Sequence, residues 1–94
     1  MISTRLTELL DIEAPVMLAG MGGVSYHELA AAVSNAGGFG CLGASTMSDE
    51  SMAEEIALTA AATEAPFGVD LLTAAGDMTE KVRAIIAGGA RVFV

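Results

Sequence analysis

The spacing of the apolar runs constrains this chain more than any other feature. Short apolar runs begin near residues 16, 39, 67 and 91, at steps of 23, 28 and 24 residues. Between them lie longer stretches with helical periodicity. Short continuous apolar runs read as buried strands, and 3.6-period stretches as helices. The order is therefore β-α-β-α-β-α-β. Such even alternation calls for parallel strands joined by right-handed helical crossovers. Both doubly wound sheets and eight-stranded barrels are built this way. A complete barrel takes roughly 250 residues, or about 30 per unit. The 94 residues supply three units and a bare fourth strand. Parallel strands need both faces covered, so a sequence ending on Arg91-Val92-Phe93-Val94 reads as a piece of something larger.

Along the chain, Ser3 is placed to cap a short helix through Leu10. Pro15 opens the run Val16-Met17-Leu18-Ala19, and Gly20-Met21-Gly22-Gly23 ends it. Ser25 and Glu28 form an S-x-x-E capping box, with Val24 and Leu29 as its hydrophobic staple. That helix stops at Gly37-Gly38, where a left-handed residue is easily accommodated. Phe39 to Leu42 is the second strand, with a loop from Gly43 to Thr46. Ser48 or Asp49 caps the next helix, whose inward stripe is expected at Met52, Ile56 and Ala60. Pro66 follows it, and Phe67 to Leu72 is the third strand. Asp77-x-x-Glu80 opens a helix with the stripe Met78, Val82, Ile85 and Ile86, closed by Gly88-Gly89.

Composition removes several functions. The net charge is −8, with four basic residues against twelve acidic ones. Arg5, Lys81, Arg83 and Arg91 form no patch able to neutralise phosphates, so neither nucleic acid nor an anionic membrane surface is an expected partner. The longest charge-free stretch, Leu29 to Ser48, is broken by glycines and does not read as a membrane span. The start MISTRLTELLDIE has no apolar core of a signal peptide. Cys41 is the one cysteine, which leaves no disulfide framework and no thiolate metal site. It reads as a small core residue in a reduced, cytoplasmic setting.

Two glycine clusters compete as functional motifs. Gly38-Phe39-Gly40-Cys41-Leu42-Gly43 matches G-x-G-x-x-G, with Glu64 where a ribose-binding acid would sit. The dinucleotide motif must follow a strand and open a helix; this one follows a helix and contains a strand. It reads as a helix end joined to a glycine-bearing strand. Gly20, Gly22 and Gly23 instead sit at a strand's C-terminal end, where parallel α/β folds bind ligands. A bare backbone admits a flat ring or an anion, and a tight turn explains the same glycines. Asp70 occupies the equivalent end of the third strand. A carboxylate closing an apolar run must find partners or stay hydrated, so structural and binding roles both stand.

The spans APVMLAGMGGVS, ELAAAVSNAGGFGCLGA, PFGVDLL and GARVFV, in this order, resemble the N-terminal part of the nitronate monooxygenases. A flavin-dependent enoyl-acyl-carrier-protein reductase group is similar in the same spans. The resemblance implies an α/β fold: the N-terminal three and a half β-α units of a TIM (β/α)8 barrel, incomplete, with residues 1–94 as the N-terminal portion of an FMN-binding domain. It implies FMN as cofactor and alkyl nitronates as the small-molecule substrate, oxidised with O₂ to carbonyl compounds and nitrite. Gly20, Met21 and Gly22 match the backbone beside the flavin ring, Gly43 the end of the second strand, and Asp70 a position usually held by Asn. Ionised Asp accepts hydrogen bonds only, whereas Asn also donates. The family's catalytic His and its phosphate-binding loops match nothing in residues 1–94. His27, in the first helical turn, is expected at the solvent side with nothing nearby to tune it, so no catalytic residue and no metal ligand is assigned. The isolated chain is expected to bind FMN weakly or not at all and to have no turnover. A non-enzymatic acidic α/β module and a small dinucleotide-binding domain are the competing expectations.

Overall fold

The computed structural model describes residues 2–71, 79–90 and 92–93. Among the described residues, four helices and three strands follow one another as α1 (Arg5–Leu10), α2 (His27–Asn35), β1 (Gly40–Gly43), α3 (Asp49–Ala62), β2 (Phe67–Asp70), α4 (Thr79–Ala87) and β3 (Val92–Phe93). All strand pairs are parallel, in the order β1-β2-β3. Met17 adds a parallel bridge to Phe39 on the outer side of β1. The four apolar runs therefore lie side by side in chain order. A doubly wound sheet of the dinucleotide-binding type sets its fourth strand beside its first; here the fourth run lies beside the third. The order is that of an arc of a (β/α)8 barrel.

The first run departs from the expectation of a buried strand. It makes one bridge, with Phe39 N–H donating to Val16 O and Leu18 N–H to Phe39 O, both at 2.9 Å. Pro15 precedes it and Gly20 follows, and its outer edge has no partner among the described residues. Val16 is 59% exposed and Met17 40%.

Strand alternation divides the sheet's residues between two faces. Leu42, Phe67, Val69 and Leu71 pack with Ala30 of α2, Met52 and Ile56 of α3 and Ile85 of α4 in one buried cluster. Gly40, Cys41, Leu42 and Gly43 are all buried. Gly40 has a packing reason: a Cβ there would overlap the Ala30 carbonyl oxygen and lie 2.7 Å from Ser34 Oγ. Its N–H donates to Ser34 Oγ (2.9 Å), and that hydroxyl donates to Pro66 O (2.9 Å). One serine thus ties α2 to the entrances of two strands.

Several local readings need correction. The first cap is Thr4, not Ser3: Thr4 and Thr7 exchange side-chain bonds with each other's N–H at 3.2 and 2.8 Å. The Ser25–Glu28 box does not form. The cap of α2 is Tyr26, with no side-chain cap bond, because the buried Ser25 hydroxyl is spent on Met21. The staple pair Val24 and Leu29 is exposed. In α3, Ser48 is the cap, accepting from Ser51 N–H at 3.1 Å. Its inward stripe is Met52, Ile56 and Thr59, while Ala60 is exposed. A 3.6-residue turn rotates a strict i, i+4, i+8 stripe off the core face, and Thr59 at i+7 replaces Ala60. For the same reason Ile85 of α4 is buried and Ile86 is exposed. Gly37 and Gly89 close α2 and α4 at φ 103° and 98°, which suits glycine. The expected Asp77 cap, Met78, Leu72, Arg91 and Val94 lie outside the described residues.

Candidate functional site

The parallel register places the strand C-termini along one edge. Gly43 at the end of β1 is the register partner of Asp70 at the end of β2. The residues after the first apolar run fold over that edge. A Cβ on Gly43 would lie 2.5 Å from both the carbonyl carbon and oxygen of Met21. A Cβ on Gly20 would overlap the Asp70 side chain. Gly20, Met21, Gly43 and Asp70 therefore meet at one place, and Gly22 lies beside Thr46 of the loop after β1.

These contacts change the reason for two glycines. At Gly20 the Asp70 side chain fills the place of a Cβ, and at Gly43 the Met21 backbone does. Their bareness lets strand ends approach one another. Gly23 is different: its φ is 78° and nothing lies within 4 Å of its would-be Cβ. Here the turn itself requires glycine, and open space remains.

Hydrogen bonding at this edge is uneven. Met21 is saturated: its N–H donates to Ser25 Oγ (2.7 Å), and its carbonyl accepts from Val24 N–H, Ser25 N–H and Ser25 Oγ (3.1, 2.9 and 3.2 Å). Gly43 N–H donates to Ser25 O (2.9 Å) and Ala44 N–H to Asp70 O (3.1 Å). Among the described residues, the N–H groups of Gly22 and Gly23 and the Asp70 carboxylate have no partner. Asp70 is partly exposed, so water can reach it. The edge offers backbone donors and a carboxylate acceptor to a ligand.

Cys41 stands in β1 two residues before Gly43, on the same sheet face as Asp70 by alternation and register. Burial, and secondly the charge of Asp70, push its thiol up to about 11. A thiol so shifted is no nucleophile near neutral pH, which agrees with the core role read for it.

His27 is half-buried, between the exposed Glu28 and a carboxylate of α3. Its Nδ1 lies 2.6 Å from Glu55 Oε2, and its N–H donates to Glu55 Oε1 at 3.4 Å. A carboxylate from α3 thus caps the start of α2, where Tyr26 supplies no side-chain cap. The Glu55 contact is not foreseen from the sequence, and it makes His27 a helix–helix tie. The G-x-G-x-x-G segment lies in and before β1, opens no helix, and holds Gly40 against Ala30. That geometry excludes a dinucleotide loop there. Among the described residues no group of His, Cys, Asp and Glu could hold a metal ion. No described helix is long and apolar enough to cross a membrane.

Sequence reasoning missed Ser25, Glu55 and Thr46. The S-x-x-E pattern hid Ser25 behind a plausible capping role, and nothing local pairs His27 with a residue 28 positions away.

The nitronate monooxygenase family model matches residues 3–91. A (3aS,4S,5R,7aS)-5-hydroxy-7a-methyl-1-oxo-octahydro-1H-indene-4-carboxyl-CoA dehydrogenase from Mycobacterium tuberculosis is 42% identical over 97% of this chain and 26% of its own. A probable nitronate monooxygenase from Staphylococcus saprophyticus is 43% identical over 74% of this chain and 20% of its own. Among solved structures, FabK from Thermotoga maritima superposes with a TM-score of 0.90 at 33% identity, over 99% of this chain and 30% of that one. A nitroalkane oxidase from Streptomyces ansochromogenes gives 0.64 at 43% identity, over 71% and 19%. The chain spans a fifth to a third of the length of these proteins. Matched across almost its whole length, it belongs to the nitronate monooxygenase family.

Proposed function

We propose that residues 1–94 are the N-terminal portion of an FMN-binding TIM-barrel domain, and that the activity of the whole domain is oxidation of alkyl nitronates with O₂. The observation that supports it is the meeting of Gly20, Met21, Gly43 and Asp70 at the C-terminal strand edge, in a chain of this family. Barrel enzymes place their chemistry at that edge. The groups there fit a flavin: Gly22 and Gly23 N–H can face acceptor atoms of a flat ring, and Asp70 can face a ring or ribityl donor. Gly20, Met21, Gly22, Gly43 and Asp70 would hold one side of it. When bound, FMN supplies the electron-accepting and oxygen-reacting chemistry. The chain's own residues orient the ring and exclude water from one wall; none of them is assigned a proton-transfer step. The setting is cytoplasmic, with Cys41 reduced and neither nucleic acid nor membrane as partner.

The isolated 94-residue chain binds FMN weakly or not at all and has no turnover in this reading. Oxygen uptake on adding an alkyl nitronate and FMN to the purified chain should stay at the background rate. Repeated turnover would overturn that statement. A second reading has its own support: the M. tuberculosis relative, matched over nearly the whole chain, is named for an acyl-CoA substrate. Thioester chemistry, as in an enoyl-acyl-carrier-protein reductase, would use the same edge. Assaying a relative-length protein that contains residues 1–94 with nitronate and with enoyl thioester separates the two.

A further inference from the structure

The loop after the first apolar run is held by one residue, through both its side chain and its backbone. Ser25 is wholly buried. Its hydroxyl accepts from Met21 N–H (2.7 Å) and donates to Met21 O (3.2 Å). Its N–H donates to the same carbonyl, and its own carbonyl accepts from Gly43 N–H, both at 2.9 Å. Only a hydroxyl acts as donor and acceptor through one atom at this reach. The result is a closed turn pinned to the end of β1, with the Met21 backbone lying flat on Gly43. Everything Met21 could offer a ligand from its backbone is already used. Among the described residues, the donors left over on the loop include those of the two glycines that follow.

We infer that Ser25 is the positioning residue of this edge: by locking Met21 to β1, it turns the N–H groups of Gly22 and Gly23 outward as the ligand-facing donors. The inference rests on the cofactor reading only for the identity of the ligand. The ligand class follows from the exposed groups. With donors on the glycine loop and an acceptor at Asp70, the edge suits a flat polar ring that carries an acceptor atom on one side and an N–H or O–H on another. A second carboxylate-rich molecule would meet Asp70 and be repelled.

The test reads the loop directly. In the 94-residue chain, amide exchange followed by NMR should be slow at Met21 and Gly43 and fast at Gly22 and Gly23. Ser25→Ala should speed exchange at Met21 by roughly tenfold or more while the Leu42 and Ile56 amides stay protected. The same variant should lose the FMN-induced shifts of Gly22 and Gly23. Should Ser25→Ala fail to fold, Ser25→Cys keeps the shape and weakens the hydrogen bonds, and the same acceleration is expected. A folded variant in which Met21 exchanges as slowly as in the parent overturns the inference. The cofactor reading fails separately: a protected Met21 in the parent chain, with FMN-induced shifts only at the opposite end of the sheet, moves FMN away from this edge and leaves the Ser25 lock standing.

Discussion

The two ends of the sheet use polar groups in opposite ways. At the N-terminal end, Ser34 joins Gly40 N–H to Pro66 O. Nearby, Asn35 donates to Ala62 O (3.1 Å) and accepts from Thr63 Oγ1 (2.6 Å), and Thr63 Oγ1 accepts from Ala65 N–H (3.0 Å). Each of these side chains spans two elements and is paired within the protein. At the C-terminal end, among the described residues, Ser25 is the one side chain so used, and the Gly22 and Gly23 amides and the Asp70 carboxylate have no partner. Barrel folds separate stability from chemistry in this direction. The lesson is that an unpaired group means more where its neighbours on the same sheet are fully paired.

The largest effect should come from the closed end. Gly40→Ala drives a methyl into a backbone carbonyl that cannot move without shifting α2. Unfolding measurements should show a loss of at least about 3 kcal/mol, or no folded state. Gly20→Ala would drive its methyl into Asp70 Cβ, an atom that no side-chain rotation moves, so the backbone must shift here too and a loss of similar order is expected. A loss within about 0.5 kcal/mol would show that the residue 20 backbone gives way more easily than the Ala30 carbonyl. Next comes Ser34→Ala, which strands the Gly40 N–H and removes a donor from Pro66 O. Its expected cost is about 2 kcal/mol, as for a buried amide left unpaired.

A pH effect of similar size tests the sheet face that Cys41 shares with Asp70. The Cys41 thiol is raised in the folded state to about 11 from 9.0, so the fold retains a proton that the unfolded chain releases. Stability should be fully present below about pH 9 and fall by roughly 2–3 kcal/mol as pH rises from 9 towards 11. Cys41→Ala should abolish that fall, measured against the parent at each pH. Asp70→Asn removes the smaller of the two causes. Thiolate absorbance should then titrate lower than in the parent but still above the ordinary range, because burial remains.

The smallest effect belongs to the surface. Lys81 pairs with Asp49 between α4 and α3, and Lys81→Ala should change stability by less than about 0.5 kcal/mol. A larger loss would show that α4 depends on that pair more than on Ile85.

What was legible follows from range. Strand positions could be read because apolar runs and their spacing are local, and the side-by-side order follows from short crossovers. Helix ends at Gly37 and Gly89 were equally legible, since a left-handed residue names itself. That Gly20 and Asp70 share the C-terminal strand edge could be read from the unit pattern, whereas Gly43 joined them only through family likeness. Three details were hidden for physical reasons. Ser25 satisfies a capping motif by type while its hydroxyl is claimed by a turn. His27 meets a carboxylate on another helix, which no periodicity reveals. Thr59, a polar residue, occupies a core position because its hydroxyl donates back to Glu55 O (2.7 Å) and so needs no other partner.

The central claim is that the open strand edge is where this chain meets its ligand. Titrating the isotope-labelled 94-residue chain with FMN to millimolar concentration, and following each amide by NMR, tests it most directly. Weak saturable shifts confined to residues 20–23, Gly43, Ala44 and Asp70 are predicted. Shifts centred on Ser34, Asn35 and Thr63 at the opposite end would contradict the account.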